Sequence, residues 1–257
     1  MNSWGLKKQI LYISLFSMLV IIVSAPVIYF KFIKKTPTCF DGVLNQDERN
    51  VDCGGVCQKI CLDEAKPIVV QFERFFESAP GVFMAVAQVE NVNQQAHVKK
   101  APYAFRVYDK EGVLLEERKG VAFIPPSATF PILEYSIYAG ERIPAKVSFY
   151  FEDNLLWEKG NIVLPKIELV NQSFTEGESS VALRADVVSK EVYAIKNLKA
   201  IALIYDTKNN VRRSSSTVIA ELGPKGKSEF AFMWNEAFDF EVGKADIVPI
   251  LIPRDFK

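Results

Sequence analysis

Ala101–Asp109 reads APYAFRVYD and Leu198–Asp206 reads LKAIALIYD. Each stretch is apolar enough for a central β-strand, and each ends on Tyr-Asp. Asp109-Lys110-Glu111-Gly112 follows the first, and Asp206-Thr207-Lys208-Asn209-Asn210 closes the second. Aspartate bonds nearby backbone amides, and Gly or Asn accepts positive φ, so each stretch leads into a hairpin. The chain carries one β unit twice.

Sliding the sequence on itself extends the match outward. At an offset of 98, Pro67, Val69 and Phe76 fall on Pro165, Ile167 and Phe174. At 97, Ala85 meets Ala182, Val98 meets Ile195, and Tyr108-Asp109 meets Tyr205-Asp206. At 98 again, Gly112 meets Asn210 and Pro126 meets Pro224. Strands are expected at Val70–Glu73, Val82–Val92, Ala101–Tyr108, Val113–Phe123, Thr129–Tyr138 and Ala145–Glu152. In the second copy they are expected at Ser179–Ser189, Leu198–Tyr205, Val211–Leu222, Lys227–Trp234 and Ala245–Ile252. About seven short strands per unit, with frequent turns, indicate a mainly β protein of two tandem immunoglobulin-like sandwiches. Their bounds are set at 64–164 and 165–257.

Two smaller parts precede them. Ile10–Phe30, ILYISLFSMLVIIVSAPVIYF, has no charged residue and as a helix is long enough to cross a bilayer. Lys7 and Lys8 flank it on one side, and Lys31, Lys34 and Lys35 on the other. Residues 1–35 therefore read as a single-pass membrane anchor. Val23-Ser24-Ala25 has the small residues of a signal-peptide cleavage site, but Pro26 follows and the apolar run outlasts an ordinary signal core. The lysine count is nearly balanced and sets no orientation.

The cysteines speak to compartment. All four, Cys39, Cys53, Cys57 and Cys61, lie in 36–63, next to the anchor. So short a segment needs a crosslink or a metal to fold. An even-numbered cluster beside a membrane anchor reads as disulfides in an oxidising compartment, which places the following domains outside the cytoplasm. Zinc on four thiolates is the alternative, although three of the cysteines repeat every four residues rather than forming two separated pairs. Asp41, Asn45, Asp47, Glu48 and Asp52 supply oxygens that either cap turns or hold calcium, without EF-hand spacing.

Two resemblances follow from these residues. The run Cys39, Asp41, Gly42, Asn45, Glu48, Val51, Asp52, Cys53, Gly54, Gly55, Cys57 resembles a short cysteine motif of bacterial and archaeal surface proteins. The interval from Cys57 to Cys61 is one residue longer than in that motif. Phe105, Val107, Tyr108 and Asp109 resemble the FxLYD signature of an extracytoplasmic β-sandwich family, with Val in place of Leu. Tyr205 and Asp206 carry it in the second copy, where Ala202 replaces the Phe. The resemblance implies a sandwich fold, with Phe105 and Val107 on one face and Tyr108 at the strand end. It implies no catalytic residue.

No nucleophile elbow, phosphate loop, dinucleotide fingerprint or zinc-protease motif occurs. His97 is the single histidine and sits in the polar stretch Asn91–Lys100, where it reads as a solvated loop residue. The net charge is zero, which leaves no electrostatic footprint for nucleic acid. Glu116-Glu117 and Glu152-Asp153 read as surface strand and turn positions, Ser214–Ser216 as a polar strand segment, and Phe149–Phe151 and Phe230–Trp234 as core. Asn171-Gln172-Ser173 is a glycosylation sequon. The expectation is a membrane-anchored binding or scaffolding protein of the cell envelope with a protein partner and no cofactor. The alternatives are a subunit of a secretion or pilus-type complex, and a hydrolase with an unrecognised site.

Overall fold

The computed structural model describes residues 3–30, 37–140 and 142–254. It is mainly β, with one N-terminal helix, α1 (Ser3–Ile28), followed by thirteen strands among the described residues. Residues 1–57 and 58–257 form two compact units.

In the first unit, α1 holds a stretch, Lys8–Ile28, of mean hydropathy 2.4. Ile10, Leu15, Phe16, Leu19 and Ile22 are all exposed, as side chains facing hydrocarbon rather than protein would be. Pro26 lies in the last turns. Lys31, Lys34 and Lys35 are outside the described residues.

The second unit holds two sandwiches. The first has strands β1 (Val69–Ala79), β2 (Val82–Asn91), β3 (Ala96–Tyr108), β4 (Leu114–Ile124), β5 (Ala128–Tyr138), β6 (Lys146–Phe151) and β7 (Trp157–Lys159). One sheet runs β1-β2-β5 and the other β4-β3-β6, with β7 also paired to β3. Ala85, Ala87 and Val89 from β2 and Ile132 from β5 pack against Phe105, Val107 and Phe149 from the opposite sheet. The second sandwich has β8 (Ile167–Glu176), β9 (Val181–Ser189), β10 (Ile195–Asp206), β11 (Val211–Leu222), β12 (Lys227–Trp234) and β13 (Val242–Ile250). Its sheets run β12-β9-β8 and β11-β10-β13, around Leu183, Val187, Ala202, Ile204, Phe230 and Phe232. Apart from β7, which has no counterpart among the six strands of the second sandwich, the strand order is that of the first.

A third core joins the sandwiches. Val86 and Leu133, with Phe72, Phe76 and Met84, pack on Ile201, Leu203, Tyr205, Val211 and Ile250. Sheet β1-β2-β5 thus contributes one face to its own sandwich and the other to this seam. Strand β10 is likewise buried on both faces, which is why Ala200–Tyr205 reads as an almost unbroken apolar run.

Three readings of the sequence are corrected. His97 is a strand residue on β3, only 3 % exposed, because the short strand β7 pairs across Ala96–Val98 from sixty residues away. Ala85 faces its core whereas Ala182 does not, and the residue facing the core is Leu183. The offset there is 98, since a slip of one residue reverses the face. Gly112 (φ 79°) corresponds to Asn209 (φ 62°) rather than Asn210, because each donates its N–H to the Tyr-Asp aspartate's carbonyl.

Candidate functional site

The cysteine segment is built by its carboxylates. Asp41 accepts the N–H groups of Thr38 and Val43, Asp52 those of Asp41 and Gly42, and Glu48 those of Asn45 and Asp52. Gly55 (φ 51°) sits so close to the Asp47 carbonyl that a Cβ would lie 1.8 Å from its oxygen, so only glycine fits after Cys53-Gly54. Cys39 and Cys57 are bonded to each other, and Cys53 and Cys61 are also in disulfide linkage. The Cys39 and Cys57 sulfurs lie within 4.8 Å of a Glu48 carboxylate oxygen, but the disulfide removes the thiolates that zinc would need.

The Tyr-Asp corners match in detail. A bulge precedes Tyr108 in the β3–β4 pairing and Tyr205 in the β10–β11 pairing. Asp109 Oδ1 accepts from the N–H of Glu111 (3.0 Å) and Val113 (2.8 Å), and Asp206 Oδ1 from Lys208 (2.9 Å) and Asn210 (2.8 Å). Burial pushes the Asp109 carboxyl up, but the Val113 amide and its ion pair with Arg142 outweigh this and hold it below the ordinary range. Asp206 is held low chiefly by the Asn210 amide. Phe105 and Val107 are buried on the core face as expected. Tyr205 enters the seam, with the Lys244 ammonium 5.3 Å from its ring centroid. At both corners Oδ1 is filled by backbone amides, while Oδ2 faces an arginine, Arg142 at the first and Arg212 at the second.

The faces away from the seam are charged. On sheet β4-β3-β6, Arg106 pairs with Glu117 (2.5 Å) and lies 4.6 Å from the Tyr150 ring centroid, with Lys119 also on Glu117. On sheet β12-β9-β8, Arg184 pairs with Glu229 (3.0 Å) and Lys227 with Asp186 (2.8 Å). At the rim of the seam, the Tyr135 hydroxyl contacts Ser216 Oγ, and the Lys199 ammonium lies 5.4 Å from the Tyr135 ring centroid. Burial pushes the Lys199 ammonium's pKa down, with Glu134 opposing. Ser214 is buried and donates to the Ala202 carbonyl. Phe149 and Phe151 pack in the first core, while Phe230, Phe232 and Trp234 pack in the second.

His97 faces Glu158 at 3.9 Å. Burial lowers its pKa, Glu158 opposes, and Lys99 adds to the lowering. Nothing in the local sequence signals this pairing, because Glu158 arrives on β7.

No known family's sequence pattern matches the chain, and no curated protein matches it. Among solved structures, red sea bream transglutaminase is 7 % identical over 69 % of this chain, with a TM-score of 0.21. The match spans 30 % of that enzyme's length.

Proposed function

We propose that this chain is a single-pass membrane protein whose residues beyond α1 stand outside the cytoplasm as a non-enzymatic binding or scaffolding module. The observation that carries the reading is the seam, which makes two sandwiches one compact body with edge strands available to a partner. Sandwich edges bind by backbone pairing and need no reactive side chains. Disulfides beside an apolar helix support the compartment, since thiols persist reduced in the cytoplasm. The matching strand orders, bulges and Tyr-Asp corners support a duplicated immunoglobulin-like domain of the FxLYD kind, divided at 64–164 and 165–257. In this reading the partner is an envelope protein, and the cysteine segment is a short crosslinked collar between anchor and module.

Crosslinking in intact cells from exposed edge positions, followed by identification of the captured protein, tests it. Recurrent capture of one envelope protein is expected, with the cysteines unreactive to thiol reagents until reduced. Four reactive thiols in protein taken from cells would overturn the compartment. Capture of the chain alone, or turnover of a substrate by purified protein, would overturn the role.

A further inference from the structure

We infer that the cleft where β1, β11 and β12 converge is a binding site for an extended peptide segment bearing a basic side chain. The inference rests on the binding-module reading and gives it a place and a chemistry. The cleft has a volume of about 380 Å³, within the range of sites that hold small ligands. Its walls come from the C-terminal end of β1 with Pro80, from Arg213–Ser215 of β11, and from Met233–Trp234 with the turn that follows β12. Each of these strands is the outer member of its own sheet. An outer strand has one row of main-chain N–H and C=O groups without a sheet partner, which an extended peptide can pair.

The side chains narrow the ligand further. Phe76, Met84 and Met233 give an apolar lining, and Met233 is 60 % exposed. Methionine adapts to variable apolar partners. Trp234 is about nine-tenths buried, and among the described residues its indole Nε1–H has no acceptor. The Arg213 Nε–H has none either. A buried donor left unpaired is costly, and indole only donates, so the missing group is an acceptor. A carboxylate is disfavoured, because Glu77 and Glu236 line the cleft against the single Arg213, whose guanidinium already faces Glu236 and Asp239. A neutral carbonyl beside a cationic side chain satisfies both conditions, and a peptide supplies both.

The test uses the full chain, uniformly ¹⁵N-labelled, in detergent micelles, where the indoles give one signal each for Trp4, Trp157 and Trp234 beside the backbone amides. The probes are acetyl-Leu-Lys-Leu-amide and acetyl-Leu-Glu-Leu-amide. The lysine peptide is expected to move the Trp234 signal downfield and saturably while Trp157 stays in place. The glutamate peptide should bind about fivefold more weakly. Met233→Asp, at an exposed position, should abolish the shift and leave the rest of the spectrum intact. Equal response to both peptides, or movement of Trp157 alone, overturns the assignment. Movement of β4 or β8 amides with Trp234 unmoved overturns the cleft but leaves the binding module standing. No movement at all also removes the cleft, while the module is then judged by its crosslinking experiment alone.

Discussion

Two residues before each corner tyrosine, the sandwiches differ sharply: the first has Arg106 and the second has Leu203. The opposite sheets differ in the reverse sense. Five residues before Asn91 and Ser189, the buried last residues of β2 and β9, stand Val86 and Arg184. Leu203 and Val86 are fully buried in the seam, whereas Arg106 and Arg184 form ion pairs on the outer faces. Each sandwich thus has one apolar and one charged outer face, arranged so that the apolar faces meet.

Exchanging these residues breaks the comparison most severely. Leu203→Arg should destabilise by about 4 kcal/mol or more, through lost packing and an unpaired buried charge. Arg106→Leu should leave the unfolding midpoint nearly unchanged, because an exposed ion pair contributes little. Denaturant unfolding of both variants measures this. The core positions sharpen the contrast next. Phe105 fills the core of the first sandwich, and three residues before its corner tyrosine the second has Ala202. Phe105→Ala should cost about 3–5 kcal/mol by leaving a cavity. Ala202→Phe should cost about 1–3 kcal/mol by overpacking, so each sandwich is fitted to its own side-chain set.

Much of this was legible in the sequence, and the limits are physical. Val211–Leu222 and Lys227–Trp234 are strands to the residue, because turn residues bound them on both sides. The apolar run through Ala200–Tyr205 announces a strand buried on both faces, but a run cannot name the sheet that covers it. Phe72, Phe76 and Met84 look like any half-buried edge until the second sandwich lies against them. His97 was misread for a similar reason: the three-residue strand that covers it is too short to carry a pattern. The offset error at Ala85 arose because alanine matches alanine whichever face it is on. The binding cleft had no signal, since its walls come from three separate strands.

Acid should separate the corners by a smaller amount. Both Asp109 and Asp206 have carboxyls held below the ordinary range, so their contribution is complete above pH about 4 and is lost as pH falls further. Asp109 is the more buried, with 2 % exposure against 13 %. Asp109→Asn should therefore flatten the acid limb of a stability–pH curve more than Asp206→Asn does. The smallest effect belongs to His97, which has no counterpart in the second sandwich. Its lowered pKa means that the unfolded chain binds the extra proton first. Stability should decline as pH drops through about 6.5, and His97→Gln should remove that decline in thermal melts.

The central claim is that the seam makes two sandwiches into one cooperative body. Each sandwich carries one tryptophan, Trp157 in the first and Trp234 in the second, so ¹⁹F-labelled tryptophan reports on both in a single denaturant titration. Coincident midpoints for the two signals are predicted, separating in Leu203→Arg as the sandwiches uncouple. Separate midpoints in the unaltered chain, or coincidence that survives Leu203→Arg, would contradict it.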